Sequence, residues 1–417
     1  MLSKTKPFDI PKQLVVEAWK IVKANAGSAG VDQQSIDDFE RNLQDNLYKL
    51  WNRMSSGSYF PPPVKAVPIP KKSGGERILG IPTVTDRVAQ TIVTLAFEPM
   101  VEPHFLPDSY GYRPNKSALD AIGITRQRCW EYDWVLEFDI VGLFDHLPRD
   151  LLLKAIHKHT ECGWILLYIE RWLAAPTQLP NGEFITRTSG TSQGGVVSPI
   201  LSNLFMHYAF DKWMQLHHPL KPWSRYADDG LLHCKTEQEA KGMLEALKQR
   251  FAECGLKLHP EKTRIIYCKD SNRKRKYRNT SFDFLGYTFR PRGTKNKNTG
   301  KLFLSFIPAV SNSAKKSMRE KSKEHKWHLR SDLSLEDIAT RYNAVLQGWI
   351  NYYGRYCLAE LKSVGEHFNA ILVKWAMRKY KKLKTSYTRA AQYIEKSARY
   401  RPKLFAHWAI GIVDVFA

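Results

Sequence analysis

Cysteine is scarce in this sequence, and long apolar runs are missing. The six cysteines are scattered along 417 residues and form no C-x-x-C pair. That spacing excludes a disulfide framework and argues against structural zinc, so we expect reduced thiols. No run approaches the roughly 18 apolar residues of a membrane-spanning helix. The polar start, MLSKTKPFDIPKQ, lacks the apolar segment of a signal peptide. The sequence therefore predicts a cytoplasmic chain with no membrane partner.

Acidic residues are scarce in the last third of the chain. The whole chain carries 64 Lys and Arg against 41 Asp and Glu, a formal net charge of +23. Residues 271–417 hold 31 of the basic and 10 of the acidic residues, a net +21, which leaves +2 for residues 1–270. Like charges at this density repel one another unless a polyanion offsets them. We therefore expect this third to bind nucleic acid, with a merely solvated basic surface as the alternative.

The order of helix and strand patterns predicts an α+β fold. Residues 35–54 begin with a Ser cap and carry apolar side chains at helical spacing, which predicts one helix. Residues 60–82 are broken by prolines and alternate in hydrophobicity around Gly74-Gly75, which predicts a β-hairpin. Short strands and helices follow without a regular βαβ repeat. From about residue 305 the pattern is helical.

Two adjacent carboxylates stand in an otherwise apolar stretch. Asp228 and Asp229 in SRYADDGLLHC lie between strand-like segments, so one interpretation is a plain hairpin turn. Asp139 ends the apolar strand DWVLEFD, where a strand-terminating turn residue is the plain alternative. If that strand pairs beside the hairpin, three carboxylates converge into a hard oxygen site suited to two Mg²⁺ ions. Such an ion pair stabilises the attacking and leaving oxygens of an in-line phosphoryl displacement.

A series of motifs, in order, resembles the reverse transcriptases encoded by group II introns over nearly the whole chain. The first motifs are GSAGVDQQSIDDF, IPKKSGGERILGIPTVTDRVAQ and YGYRPNKSALDAI. The motifs that resemble the polymerase palm are FDIVGLFDHLPRD, TSQGGVVSPILSNLF, YADD, GLKLHPEKT and FLGYTF. GWINYYGRY and RPKLFAHWAIG resemble the thumb and maturase region, called domain X.

This resemblance implies a right-hand polymerase followed by an all-helical thumb and maturase domain. We expect an N-terminal helical extension at residues 1–58, fingers and palm at 59–295, and thumb and maturase at 296–417. The implied activity is RNA-directed DNA polymerisation, together with binding of the intron RNA and promotion of its splicing and mobility. The implied partners are that RNA, an RNA template, a DNA primer and dNTPs, in a bacterial-type cytoplasm near RNA or the nucleoid. The oligomeric state stays open between monomer and dimer.

The resemblance also assigns roles to individual residues. Asp139, Asp228 and Asp229 are the implied catalytic carboxylates and, with the Ile140 carbonyl, the ligands of two Mg²⁺ ions or of Mn²⁺ in their place. One ion would activate the primer 3′-hydroxyl and the other would hold the triphosphate. The residues implied for dNTP binding are Lys71 and Arg77 on the triphosphate, Phe144 as the steric gate, Gln193 at the nascent base pair, and Lys262 as the acid for the leaving pyrophosphate. Surface charges on a turn, an ordinary core Phe and a surface Lys are the plain alternatives.

Eight basic residues are expected to contact nucleic acid: Arg113, Arg273, Lys274, Arg275, Lys276, Lys379, Lys381 and Lys382. Three features depart from the family pattern, one of which is that the turn DIVGLFDHL lacks the lysine or polar residues common there. Gly230 is smaller than the residue usual after the aspartates, so a looser hairpin is expected. The chain ends at Ala417 without the endonuclease motifs of many relatives, which predicts an endonuclease-lacking type.

Other functions remain open at this point. A splicing-only RNA-binding maturase is disfavoured by the three intact carboxylates, because a binding protein has no need of clustered like charges. An intron-independent reverse transcriptase in repair or defence is compatible with the basic C-terminal third, since any template–primer duplex needs a positive surface. Phe144 disfavours an RNA-templated RNA polymerase, because an aromatic steric gate leaves no room for a 2′-hydroxyl.

Overall fold

Helices and strands are mixed through the chain, as the α+β prediction requires. The computed structural model describes residues 6–70, 74–296 and 298–415. The chain forms two compact units: Met1–Ala121 with Leu136–Arg264, and Ile122–Val135 with Ile265–Ala417. Lys71, which the sequence places on the hairpin of residues 60–82, lies outside the described residues.

The first unit begins with three helices, α1 (Lys12–Asn25), α2 (Ile36–Arg41) and α3 (Leu43–Ser55). Ser35 caps α2 as predicted, because its side chain accepts from the Asp38 amide while the Asp38 side chain accepts from the Ser35 amide. The single helix predicted for residues 35–54 is interrupted at Asn42. The Asn46 side chain donates to the Phe39 carbonyl oxygen at 2.9 Å, which occupies the acceptor that a continuous helix would use.

The predicted hairpin is present in this unit. β1 (Val64–Pro70) and β2 (Glu76–Ile81) pair antiparallel. Gly74 and Gly75 have φ angles of +89° and +75°, which glycine adopts without steric cost. β1 also pairs with β4 (Thr177–Gln178), and β4 pairs with β5 (Phe184–Ile185), so the sheet order is β2-β1-β4-β5. α4 (Val84–Val101) follows the hairpin and is capped by the Thr83 side chain.

A second sheet of this unit carries the acidic motifs. β7 (Asp229–Cys234) lies between β6 (Trp223–Tyr226) and β3 (Trp134–Phe138). The later helices of this unit are α6 (Leu143–His146), α7 (Arg149–His157), α8 (Gly163–Ala174), α9 (Ser198–Met206), α10 (Lys212–His217) and α11 (Glu237–Glu253), whereas most of α5 (Ala118–Glu131) belongs to the second unit. A π-helical turn, His207–Asp211, joins α9 to α10.

The second unit contains short strands and a group of helices. Its strands are β8 (Arg264–Tyr267), β9 (Phe282–Phe284), β10 (Tyr287–Lys295) and β11 (Leu302–Val310). Its helices after β11 are α12 (Asn312–Glu324), α13 (Leu335–Tyr353), α14 (Lys362–Lys379), α15 (Tyr387–Tyr400) and α16 (Ala406–Ala409), around a core that includes Tyr342, Phe368, Trp375 and Trp408. No helix in the described ranges is long and apolar enough to cross a membrane.

β11 corrects the prediction that the chain is helical from about residue 305 and all-helical from residue 296. β10 and β11 pair over nine residues each, from Tyr287 opposite Val310 to Lys295 opposite Leu302. The hairpin therefore crosses the predicted domain boundary after residue 295. The local pattern misses β11 because its partner strand supplies the pairing, and cross-strand contacts stabilise a strand more than local preference does.

Candidate active site

Asp228 and Asp229 lie on a tight hairpin turn. Tyr226 pairs with Asp229 across β6 and β7, which leaves Ala227 and Asp228 as a two-residue loop. Ala227 has a φ of +58°, a region that residues with a side chain rarely occupy. Such strain persists only where the surroundings hold the backbone in place, and it is concentrated at functional sites. The two aspartates therefore do lie at a hairpin turn, as one interpretation of the sequence predicted. The strained backbone of this turn must be held by its surroundings.

Arg225, which no sequence pattern singled out, is the main support of the turn. Its side chain is fully buried, and Nη1 donates to the Ala227 carbonyl oxygen at 3.0 Å and to Asn203 Oδ1 at 3.2 Å. Nε and Nη2 donate to the two carboxylate oxygens of Asp211 at 2.8 and 2.7 Å. Nη2 also donates to Ser109 Oγ at 2.8 Å. Breaking such a buried ion pair leaves an uncompensated charge, so the network fixes the loop firmly.

The signal for this network was present in the sequence. Trp223, Ser224 and Arg225, the first three residues of β6, are all buried. A charged residue within a buried strand requires a partner, because an isolated buried charge is very costly. The partner, Asp211, could not be named in advance because it lies at the end of the π-helical turn, a feature that local patterns do not reveal.

Gly230 fits the hairpin tightly against β3. A Cβ atom at Gly230 would lie 2.0 Å from the Phe138 ring. Phe138 is buried and packs against Phe210 and Phe251, with ring centroids at 5.1 and 5.8 Å. A looser hairpin was expected from the small size of Gly230, and the structure shows the opposite. Gly230 admits the ring that packs β7 onto β3.

Asp139 follows directly after β3, as predicted. Its carbonyl oxygen accepts from the His259 amide at 2.8 Å, and the Val141 amide donates to the Lys257 carbonyl oxygen at 2.9 Å. These two bonds flank Ile140, which faces Leu258 in an isolated antiparallel bridge. Among the described residues, no hydrogen bond to the Ile140 carbonyl oxygen is found, so that oxygen is available as a ligand.

The three carboxylates lie close enough to act on one another. Burial, followed by the negative charge of Asp139, raises the pKa of Asp228 above its ordinary value. Burial of the carboxylate, and then the charges of Asp228 and Asp139, raise the pKa of Asp229 to about 7. Asp229 as a whole residue nevertheless remains exposed. A bound cation would cancel the part of the pKa increase that comes from the neighbouring negative charges.

The Lys262 ammonium is a positive charge in direct contact with this site. It forms an ion pair with the Asp139 carboxylate. The hydrogen bond to Asp139 raises the pKa of Lys262, and the charges of Asp229 and Asp228 act in the same direction. The predicted dNTP residue is thus in contact with a predicted metal ligand.

The donor chemistry fits divalent hard cations. Carboxylate and backbone carbonyl oxygens are the ligands that Mg²⁺ and Mn²⁺ prefer. In the part of the chain that the structure describes, no three His, Cys, Asp or Glu side chains are arranged closely enough to hold one ion. Lys262 occupies the Asp139 carboxylate instead, as a stand-in cation. The ammonium contacts the Oδ2 atom of this carboxylate, and a divalent ion at Asp139 would compete with it for that atom.

Two of the predicted dNTP residues line one cavity. Arg77 on β2 and Gln193 border a cavity of about 280 Å³ whose wall also includes Asp145 and Arg187. Gln193 Nε2 donates to Asp145 Oδ2 at 2.7 Å. The Gln193 carbonyl oxygen accepts from the Gly80 amide at 2.6 Å, so the hairpin sheet and the Gln193 loop are joined directly.

The other dNTP predictions have different surroundings. Phe144 lies on α6 and is half-buried, and its carbonyl oxygen accepts from the Thr191 amide at 2.7 Å. Its predicted role as the steric gate stays a prediction. Lys71 is outside the described residues, so its predicted contact with the triphosphate stays a prediction.

Three of the eight predicted nucleic-acid residues are engaged by the protein itself. Arg113 forms an ion pair with Glu102 and donates to two backbone carbonyls. Arg273 is bound by Asp270 and by the carbonyls of Cys129 and Tyr132. Lys379 Nζ donates to the carbonyl oxygens of Ser331 and Leu333. Because these three side chains are bound by protein oxygens, the structure does not favour their contact with phosphate. The remaining five are exposed: Lys274, Arg275, Lys276, Lys381 and Lys382.

Comparisons with known proteins agree with these features. Residues 69–289 match the family model described as "Reverse transcriptase (RNA-dependent DNA polymerase)", and residues 315–394 match "Group II intron, maturase-specific domain". The chain is 29% identical to Protein YkfC of Escherichia coli (strain K12) over 324 residues, 66% of this chain and 79% of that protein. It is 25% identical to the group II intron-encoded protein LtrA of Lactococcus lactis subsp. cremoris over 421 residues, 81% of this chain and 68% of that protein.

Two aspartates lie at the hairpin turn, and a third lies at the end of a neighbouring strand. Together with the family matches, this arrangement identifies a nucleic-acid polymerase. The chain belongs to the reverse transcriptase family and carries the maturase-specific domain of group II intron proteins. It is an RNA-directed DNA polymerase.

Proposed function

We propose that this chain copies RNA into DNA by two-metal-ion nucleotidyl transfer, and that it also binds group II intron RNA and promotes splicing and mobility of the intron. The observation that supports the catalytic part most strongly is the juxtaposition of Asp139 with the strained turn that carries Asp228. Asp139, Asp228, Asp229 and the Ile140 carbonyl would hold two Mg²⁺ ions, or Mn²⁺. Ions held there would stabilise both the attacking 3′-hydroxyl oxygen and the leaving pyrophosphate oxygen.

The chain's own residues then divide the remaining work. Arg77, on β2 at the edge of the cavity, binds the triphosphate, because a guanidinium fork complements phosphate oxygens. Gln193 and Phe144 contact the base pair and the sugar of the dNTP. Lys262 leaves Asp139 when a divalent ion enters and turns its ammonium towards the leaving pyrophosphate, to which it donates a proton.

The intron-binding part rests on charge and on the second family match. Residues 315–394 match the maturase-specific domain. The exposed basic side chains Lys274, Arg275 and Lys276, with Lys381 and Lys382, contact phosphates of the RNA. In this proposal residues 1–58 are the N-terminal extension, and the helices after β11 form the thumb and maturase region of a right-hand polymerase.

The catalytic part is tested by replacing Asp228. Asp228→Ala is expected to lower dNTP incorporation on an RNA template by at least about 100-fold, the scale of losing one electrostatic group of an active site. RNA affinity is expected to stay unchanged. Asp150→Ala, an exposed first-turn aspartate of α7, is the matched control and is expected to keep full activity. Full activity in Asp228→Ala would overturn the assignment of the site.

The intron-binding part is tested in the native cells. The chain is pulled down and the RNA that comes with it is sequenced. One dominant, structured RNA that includes the chain's own coding transcript, with spliced junctions lost on deletion, is expected. A diffuse collection of cellular RNAs would instead identify an intron-independent reverse transcriptase.

A further inference from the structure

Tyr112 is an exposed aromatic residue in a strained conformation beside the catalytic turn. Its φ angle is +55°, and 56% of the residue is exposed. A bulky residue with positive φ is a true outlier, and such strain at a site with chemistry points to a use for the side chain. A core role does not explain Tyr112, because most of its surface faces solvent.

The backbone just before Tyr112 is fixed to β6 and to α9. The Tyr110 amide donates to the Arg225 carbonyl oxygen at 2.8 Å, and the Arg225 amide donates to the Asp108 carbonyl oxygen at 3.0 Å. The Asn203 side chain donates to the Gly111 carbonyl oxygen at 2.6 Å. A Cβ atom at Gly111 would lie 2.6 Å from the Ala227 amide nitrogen, so this segment runs directly against the catalytic turn. Over-determination of this kind is what keeps a strained residue in place.

The surroundings of the Tyr112 ring belong to the reaction site. Its centroid lies 6.4 Å from that of Tyr226, the residue before the catalytic loop, at an interplanar angle of 46°. Partial burial, and then the charge of Asp228, raise the pKa of the Tyr112 phenol, while Arg77 acts in the opposite direction. The ring is thus within range of both a catalytic carboxylate and the arginine proposed for the triphosphate.

We propose that Tyr112 is a substrate-positioning residue whose ring stacks on a nucleotide at the polymerase site. Every base offers a π face, and an exposed ring at this place gains contact without requiring a particular base. The nucleotide is either the incoming dNTP or the 3′-terminal residue of the primer, since both must lie at these carboxylates. The inference rests on the proposed function, because it uses the same location of the reaction.

The test compares two substitutions with different losses. Tyr112→Asn removes the ring but tolerates positive φ, and Tyr112→Phe keeps the ring without the hydroxyl. Tyr48→Ala, a tyrosine of α3 that is 58% exposed, is the matched control. Single-nucleotide incorporation on an RNA template gives kcat/KM and the KM for dNTP. A separate titration gives the Kd of the primer–template, and a thermal melt checks folding.

Tyr112→Asn is expected to lower kcat/KM by about 5- to 100-fold, the range for losing one stacked base. A raised KM for dNTP identifies the dNTP as the stacking partner, and a raised primer–template Kd identifies the primer end. Tyr112→Phe and Tyr48→Ala are expected to stay within about twofold of the unchanged chain. Normal activity in a folded Tyr112→Asn would overturn the inference, and so would an equal loss in Tyr112→Phe. Because Asp228→Ala is assayed alongside, activity in that variant would count against the proposed function instead.

Discussion

Lys262 shows how one residue can connect the charge of this site to its chemistry. Its ammonium pairs with Asp139, and that hydrogen bond raises the pKa of Lys262. A divalent ion and the ammonium therefore compete for the same carboxylate. The pair also keeps the three like charges partly neutralised before any ion arrives, which offsets a repulsion that would otherwise favour protonation.

Lys262→Ala is expected to change metal affinity and rate in opposite directions. Removing the competitor lowers the Mg²⁺ concentration that gives half-maximal incorporation, while the maximal rate falls about 10²- to 10⁴-fold because the general acid is lost. A Mg²⁺ titration of incorporation measures both quantities. Lys154→Ala, an exposed lysine of α7, is the control. A higher Mg²⁺ requirement in Lys262→Ala would contradict the competition.

Gly230→Ala tests the contact between the hairpin and β3. The added methyl group would lie 2.0 Å from the Phe138 ring. Overpacking of a dense core typically costs about 1–3 kcal/mol, and here it also shifts the aspartates. We expect a lower free energy of unfolding in urea and a loss of incorporation, both partly restored by adding Phe138→Leu. Gly242→Ala on α11, where nothing lies within 4 Å, should be neutral or stabilising. No coupling between positions 138 and 230 would refute the contact.

The π-helical turn connects the core to the hairpin that carries Asp228 and Asp229. Asp211 at its end binds Arg225, and His207 at its start is completely buried, with no hydrogen-bond partner found for either ring nitrogen in the described structure. Desolvation lowers the pKa of His207 to about 3, although the Asp211 carboxylate lies 3.9 Å from Nδ1. The positive charges of Lys212 and Arg225 help to keep the ring neutral.

This buried histidine makes stability depend on pH in a defined direction. The unfolded chain binds a proton at His207 below about pH 6.5, whereas the folded chain does not until about pH 3. Stability is therefore complete above pH 6.5 and falls by about 1.4 kcal/mol per pH unit below it for this one group. Between pH 7 and pH 5, His207→Leu is expected to lose about 2 kcal/mol less than the unchanged chain in urea unfolding. His157→Gln, an exposed change on α7, serves as the control. If His207→Leu and the unchanged chain lose the same free energy of unfolding between pH 7 and pH 5, the lowered pKa of His207 is contradicted.

Elements that rest on local chemistry were predictable, and those that rest on distant partners were not. The hairpin at Gly74-Gly75 and the Ser35 cap follow from turn and cap residues alone. β11 was missed because β10 supplies its pairing, and the break at Asn42 depends on one side-chain bond from Asn46.

At the scale of the whole chain, composition shows that the last third is basic. It does not show which basic side chains are exposed and which are bound by the protein itself. Arg273 and Lys274 are neighbours with the same charge, yet the first is bound by protein oxygens and the second is exposed. The proximity of Asp139, Asp228 and Asp229 was predictable, because chain order and a family resemblance place them at one site. Arg225, Asp211 and Tyr112 were not, because their roles come from burial and backbone conformation.

The basic loop gives a prediction about RNA binding. Replacing Lys274, Arg275 and Lys276 together by Ala should weaken RNA affinity across sequences. It should also reduce the slope of log affinity against log salt by up to about 2, at roughly 0.7 per phosphate contact. A filter-binding series from low to high salt measures it. The control triple is Lys154, Lys241 and Lys248, all exposed lysines of the first unit. An unchanged slope would remove the loop from the proposed RNA surface.

The most direct test of the central claim is to locate the ions. Crystals of the chain with an RNA template, a DNA primer and a dNTP are soaked in Mn²⁺, and the anomalous signal is mapped. The account predicts peaks at the carboxylates of Asp139, Asp228 and Asp229, with the Ile140 carbonyl as a ligand and the Lys262 ammonium moved away from Asp139. Strong peaks elsewhere, in a chain that still incorporates dNTPs, would contradict it.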